Sequence, residues 1–144
     1  MTPVELLARR EALGLSLNAL GEVWDVRSQS ISRWEFGRNP PKDWSWIEAS
    51  ITAMEHYQAE LVAQMVKTTK EILNETGEAA LVTFNSRGAF YRWHPEARDK
   101  EWPGGGQGVP VELHRAATAR AATELRILHG IKEVSISEAP DLSS

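Results

Sequence analysis

Arg27-Ser-Gln-Ser-Ile-Ser-Arg-Trp-Glu35 reads as one short helix with two unlike faces. At the helical repeat, Ile31 and Trp34 share an inner side, while Ser28, Gln29, Ser32 and Arg33 lie on the other. Ser28 is placed to cap this helix, which the pattern ends near Phe36-Gly37. Gly37-Arg-Asn-Pro-Pro41 then stops it, because two prolines cannot continue a helix. On the N-terminal side, Ser16 caps a preceding helix through Trp24, with Leu17, Leu20 and Val23 inward. Asp25-Val26 is the turn between the two helices. Further upstream, Thr2-Pro3-Val4-Glu5 combines a cap, a first-turn proline and a capping-box glutamate. Leu6, Leu7, Arg10 and Leu13 follow at helical spacing, and Gly14 closes the element. Two packed helices need a small residue where they cross, and Gly21 supplies it.

On the C-terminal side, the stretch from Asp43 to about Glu75 contains neither proline nor glycine and is rich in helix formers. Trp44, Ile47, Ile51, Met54, Leu61, Met65 and Ile72 fall close to a heptad seam, interrupted by Gln58 and Thr68. A helix of this length outruns a front domain of about 40 residues, so its far end is expected to meet a second chain. Gly77 ends it, and Ala80-Leu-Val-Thr-Phe84 reads as a strand. Ser86 to His94 suits a short helix carrying Phe90, Tyr91 and Trp93. Trp102-Pro-Gly-Gly-Gly-Gln-Gly108 reads as a flexible connection, and its glycines lack the lysine and Ser/Thr of a phosphate loop. Val111 to His129 forms an alanine-rich helix with Leu113, Ala117, Ala121, Leu125 and Leu128 along one side. The polar tail from Gly130 is expected to be mobile, although Val134-Ser-Ile136 could pair as a second strand. Otherwise the lone strand would need the same strand of a symmetry mate.

The fold expected is mainly α: an N-terminal helix-turn-helix bundle, a long connecting helix, and a small α+β C-terminal dimerisation domain with a short strand. The boundaries expected are 1–60, 61–130 and a tail over 131–144. Nothing among the 144 residues approaches a membrane-spanning apolar run, and the N-terminus has no secretory-signal pattern. The absence of cysteine excludes disulfides and thiolate metal sites, which together points to the cytoplasm. His56, His94, His114 and His129 are dispersed without metal-ligand spacing, so neither metal, cofactor nor catalytic constellation is expected. The net charge is −4, but residues 1–41 balance five arginines against five acids, and the rest carries the whole excess. Phosphate binding responds to local cations, so an acidic rear does not forbid a nucleic-acid-facing front.

The spacing of Gly21, the turn Asp25-Val26 and Ile31, followed by Ser32-Arg-Trp-Glu-Phe-Gly-Arg38, resembles the Cro/Xre-type phage-repressor helix-turn-helix. The likeness spans roughly residues 4–41. The chain departs from the family where a turn glycine is usual, since Asp25 stands there. It also has Leu17 near the place of the helix-two glutamine, with Asn18 beside it as a replacement. Beyond the motif, the order of elements is similar to small bacterial and phage autoregulators, including anti-CRISPR-associated repressors. The resemblance implies a homodimer on double-stranded DNA at an inverted repeat, repressing a promoter. It also implies that Arg10 and Glu35 form a structural ion pair.

On that reading Gln29, Arg33, Ser28 and Ser32 face the major groove. Glutamine can pair with adenine, and arginine with guanine O6 and N7. Arg27, Arg38, Asn39 and Asn18 are the candidate phosphate contacts. Leu61, Met65, Ile72, Leu81, Phe84 and Trp93 are the candidate dimer interface, and Trp102 is also placed at an interface. Two other classes share the front half. One is an antitoxin whose C-terminal half binds a toxin. The other is a protein-interaction module whose helix-turn-helix does not bind DNA.

Overall fold

The computed structural model describes residues 1–142, and these fold mainly as helix with one two-stranded parallel sheet. The elements run α1 (Pro3–Ala12), α2 (Leu17–Trp24), α3 (Ser28–Glu35), α4 (Ser45–Thr76), β1 (Ala79–Thr83), α5 (Arg87–Trp93), α6 (Pro95–Asp99), α7 (Val111–Ile127) and β2 (Val134–Glu138). Local chemistry sets most of the starts. Thr2 Oγ1 accepts from the Glu5 amide at 3.3 Å, and Ser16 Oγ accepts from Ala19 at 3.0 Å. Ser86 Oγ does the same for Ala89 at 3.1 Å. The start of α3 differs from expectation: Arg27 is the cap residue, it makes no side-chain cap bond, and Ser28 is already helical.

α4 does not keep a heptad seam. Its buried face runs through Ile47, Ile51, Met54, Gln58, Val62, Val66 and Thr69. From Met54 to Val66 the buried positions advance by fours, a step that turns the face by about 40° on a helix of 3.6 residues per turn and carries it toward α7. A heptad would alternate threes and fours, so the face drifts off Leu61 and Met65 and onto their neighbours. Gln58, an apparent interruption, is 1% exposed and lies at the centre of the face.

The far half of α4 is covered by its own chain. Val62 and Val66 pack with Leu81, Ala117, Ala121, Ala122 and Leu125. The alanines of α7 let the two helices approach closely over this stretch. Leu128, expected on the same side of α7, caps the helix and is 70% exposed.

β1 pairs with β2 of the same chain, in the register Ala79↔Val134, Leu81↔Ile136 and Thr83↔Glu138. The segment expected as a mobile tail therefore carries a strand, and the Ala139 amide extends the pairing to Thr83 O at 2.8 Å. Ser143 and Ser144, the end of that expected tail, lie outside the described residues.

One apolar core crosses the boundary expected at residue 60. It joins Leu6, Leu13, Leu20, Ile31, Ile51 and Met54 with Phe84, Phe90, Trp102, Val109 and Leu113. Gln58 ties the same elements by polar bonds, donating to Leu13 O at 3.1 Å and Leu113 O at 3.2 Å and accepting from Arg120 at 2.8 Å.

The glycine loop is clamped rather than flexible. Gly105 O accepts from Ser50 Oγ at 3.3 Å, and the Gln107 amide donates to Val23 O at 3.1 Å. A Cβ on Gly104, whose φ is +83°, would stand 2.2 Å from Trp46 O. Glycine is needed here for close approach to backbone as much as for its dihedral freedom. Trp102, expected at an interface, is buried in the chain's own core and donates to Gly108 O at 2.8 Å.

Candidate nucleic-acid interface

α2 ends at Trp24 because Asp25 takes the left-handed conformation, φ 53° and ψ 47°, where the family pattern favours glycine. Asp is among the few other residues that adopt it. The Val26 amide donates to Gly21 O at 3.0 Å, and a Cβ on Gly21 would lie 2.5 Å from Val26 O. The close approach of the two helices thus depends on the absence of a side chain at position 21.

The inner face of α3 is fixed from three directions. Ile31 is fully buried in the core. Glu35 receives Arg10 in a fork, Nε at 2.7 Å and Nη2 at 3.0 Å, while Arg10 Nη1 donates to Leu15 O at 2.8 Å. That geometry satisfies both charges, which makes burial of the pair tolerable, and it is the ion pair the resemblance implied. Trp34 is half-buried and meets the ring of Trp46 edge-on at 6.3 Å. Trp46 also meets Trp24 edge-on at 5.2 Å, and Trp24 Nε1 donates to Ser50 Oγ at 2.8 Å. α1 is held on α4 by Arg9, which binds the carboxylates of Glu48 and Glu55 and the hydroxyl of Thr52. The Arg9 hydrogen bond holds the Glu48 carboxyl below its usual range.

The outer face of α3 is left open. Gln29 and Arg33 are exposed one turn apart, with half-buried Ser28 and Ser32 beside them. Phe36, 69% exposed, continues the same stripe beyond Arg33. Arg27, Arg38, Asn39 and Asn18 are exposed around it. Asn18 and Arg27 line a cleft with Gly21, Glu22, Asp25, Val26 and Ser28.

The arginines divide informatively. Arg9, Arg10, Arg87, Arg92, Arg98, Arg115 and Arg120 all hold side-chain hydrogen bonds or ion pairs. Among the described residues, Arg27, Arg33 and Arg38 hold none, and Arg126 at the end of α7 is the fourth of that kind. Three of the four unengaged guanidinium groups therefore lie on or beside one short helix.

The residues expected at a dimer interface are scattered. Leu81 and Phe84 are buried in the chain's own clusters, at 6% and 3% exposure, because β1 is covered by α4 and α7. Leu61 and Met65 are half-buried against those clusters. Ile72 and Trp93 are exposed, and Trp93 Nε1 donates to Pro140 O at 2.8 Å.

Among the described residues no group of histidine and carboxylate side chains is placed to hold a metal, and no helix is long and apolar enough to cross a membrane. His114 is buried among Phe84 and Phe90, with Nδ1 2.8 Å from Thr83 Oγ1. Burial first, and then the neighbouring His94, pushes its pKa down to about 4.

Three arrangements were not anticipated from the chain alone: the Arg9 clamp, the Gln58 centre, and an ion pair between Arg87 of α5 and Glu22 of α2. For Gln58 a signal existed, since a polar residue stood where the apolar seam should pass. The other two join residues far apart in sequence and carried no local mark. No protein-family model and no curated protein matches this chain, so its likeness to Cro/Xre-type domains rests on the residues named above.

Proposed function

We propose that the chain is a sequence-specific DNA-binding transcriptional regulator, acting as a homodimeric repressor on an inverted repeat. The observation that carries this reading is the division of α3. Its inner face is locked by Ile31, Trp34 and the Arg10–Glu35 fork, while Gln29 and Arg33 project outward with unengaged polar groups. Such a helix, standing on a tight turn beside α2, has the shape of a major-groove reader. Gln29 pairs with adenine and Arg33 with guanine, each pair worth about 1–3 kcal/mol of discrimination. Arg27, Arg38, Asn39 and Asn18 set the register on phosphates, and Ser28 and Ser32 fill the groove between them.

Self-association is supported by features at the far end of the molecule. Among the described residues the parallel sheet has two strands, and Val82, on the face opposite buried Leu81, is half exposed. Parallel sheets are ordinarily covered on both faces, and unpaired strand edges invite a partner. A second copy would place two α3 helices in successive major grooves ~34 Å apart, which offsets the weak electrostatics of each front. The bound dimer would then occlude polymerase.

The test is a gel shift against DNA selected by the unsubstituted chain, with Gln29→Ala and Arg33→Ala each measured on matched and mismatched sites. Both variants should keep their fold and lose preference by about tenfold at their own base position. Unchanged preference in both would overturn the assignment of α3.

A further inference from the structure

Around the cleft between α2 and α3 the acids outnumber the base: Glu22 and Asp25 stand against Arg27. A surface that must approach a polyanion is poorly served by that balance. The structure brings one more cation to it, from the other half of the chain. Arg87, at the start of α5, donates from Nη1 to Glu22 Oε2 at 2.6 Å. Glu22 borders two clefts at once, the one with Asn18, Arg27 and Ser28, and a second one with Arg87, Tyr91, Gln107 and Val111.

The pair has little to do for stability. Its side chains are 59% and 63% exposed, and solvent-exposed ion pairs contribute little to stability. Charge near a phosphate backbone is another matter, because each cation there displaces a condensed counterion.

We propose that Arg87 belongs to the DNA interface as a positioning residue: by neutralising Glu22 it removes a carboxylate that would repel the phosphates flanking α2. The C-terminal half thereby takes part in DNA binding, which residues 4–41 alone would not do as well. This inference rests on the DNA-binding reading of α3. It adds the statement that the operator affinity of that front depends on a residue some fifty positions beyond it in sequence.

The experiment compares full-length chains on one selected DNA duplex across a salt series. Arg87→Ala should melt like the unsubstituted chain but bind about eightfold more weakly per subunit at 0.1 M salt, with a salt slope smaller by about one. Adding Glu22→Gln to Arg87→Ala should bring affinity and slope back to within about twofold of the starting values, since the local charge is then restored. Arg98→Ala, which breaks an equally exposed pair with Asp99 on α6, changes the net charge identically and should leave binding unaltered. Arg87→Ala binding with unsubstituted affinity and slope would overturn the inference. So would equal weakening by Arg98→Ala, or a failure of Glu22→Gln to restore binding. A chain that prefers no DNA sequence at all would instead defeat the reading beneath it, and the inference with it.

Discussion

Replacing Gln58 with methionine separates the two things that residue does: it fills a place in the buried face of α4, and it supplies an amide. Methionine keeps the length and most of the volume, so the cavity cost is small. The amide bonds are lost. Leu13 O, at the end of α1, is one of the carbonyls a helix leaves without an internal partner, and Gln58 Nε2 is what meets it. Leaving it buried and unpaired costs about 1–3 kcal/mol. Leu113 O still serves the ladder of α7, and exposed Arg120 can turn to water, so those two losses together add about 1 kcal/mol. The sum expected is about 2–4 kcal/mol, which for a chain of this size lowers Tm by roughly 5–15 °C. Urea unfolding followed by tryptophan fluorescence and by far-ultraviolet circular dichroism reads the change directly. Both probes should report one coincident transition, because Trp24 and Trp102 belong to the core that also holds Phe84 and Leu113. Gln64→Met is the comparison: its amide is exposed and reaches only Thr68, so the change should stay within about 0.5 kcal/mol. A Gln58→Met chain within 0.5 kcal/mol of the original, or two separated transitions, would refute the view that Gln58 joins the two halves.

Two further outcomes concern the glycine loop and the buried histidine. Gly104→Ala sets a Cβ against Trp46 O at a positive φ and should destabilise by about 2–4 kcal/mol, whereas Gly88→Ala in α5, with room for the methyl, should stabilise by about 0.5 kcal/mol. Similar melting of the two variants would contradict the clamped loop. His114 is neutral in the fold and its pKa is depressed to about 4 from 6.5, so the unfolded chain takes up the proton first as pH falls. Its share of stability is whole above pH 6.5 and drains away down to pH 4, by as much as about 3 kcal/mol. His114→Phe should flatten the stability profile between pH 6.5 and 5, and an unchanged slope there would show that the acid limb comes from elsewhere.

The helices of the front half were legible in the sequence because their signals are local. Thr2 and Ser16 cap, Gly21 makes room, and Ile31 anchors, all within a turn or two of what they act on. The direction of Gln29 and Arg33 follows from Ile31 by helical period alone. Partner choice was not legible in this way. A strand with apolar alternation such as β1 is equally consistent with a symmetry mate or with β2, and only the crossover through α7 decides between them. The length of α4 suggested a second chain because nothing in the apolar pattern reveals that an alanine-rich helix returns alongside it. The same pattern placed the seam at Leu61 and Met65, whereas α7 packs one residue further round the helix and buries Val62 and Val66. Glycines 104–106 read as slack in sequence because their function lies in what approaches them, Trp46 and Val23, which sit roughly sixty and eighty residues earlier.

Selecting bound duplexes from a random library with this chain at low salt tests the proposal that α3 reads DNA sequence as one of a pair. The expected result is enrichment of an inverted repeat whose half-sites are centred about 10–10.5 base pairs apart or a multiple of it, each containing an adenine and a guanine within reach of Gln29 and Arg33. Recovery of no enriched sequence, or of one whose enrichment survives in the Gln29→Ala, Arg33→Ala double variant, would contradict it.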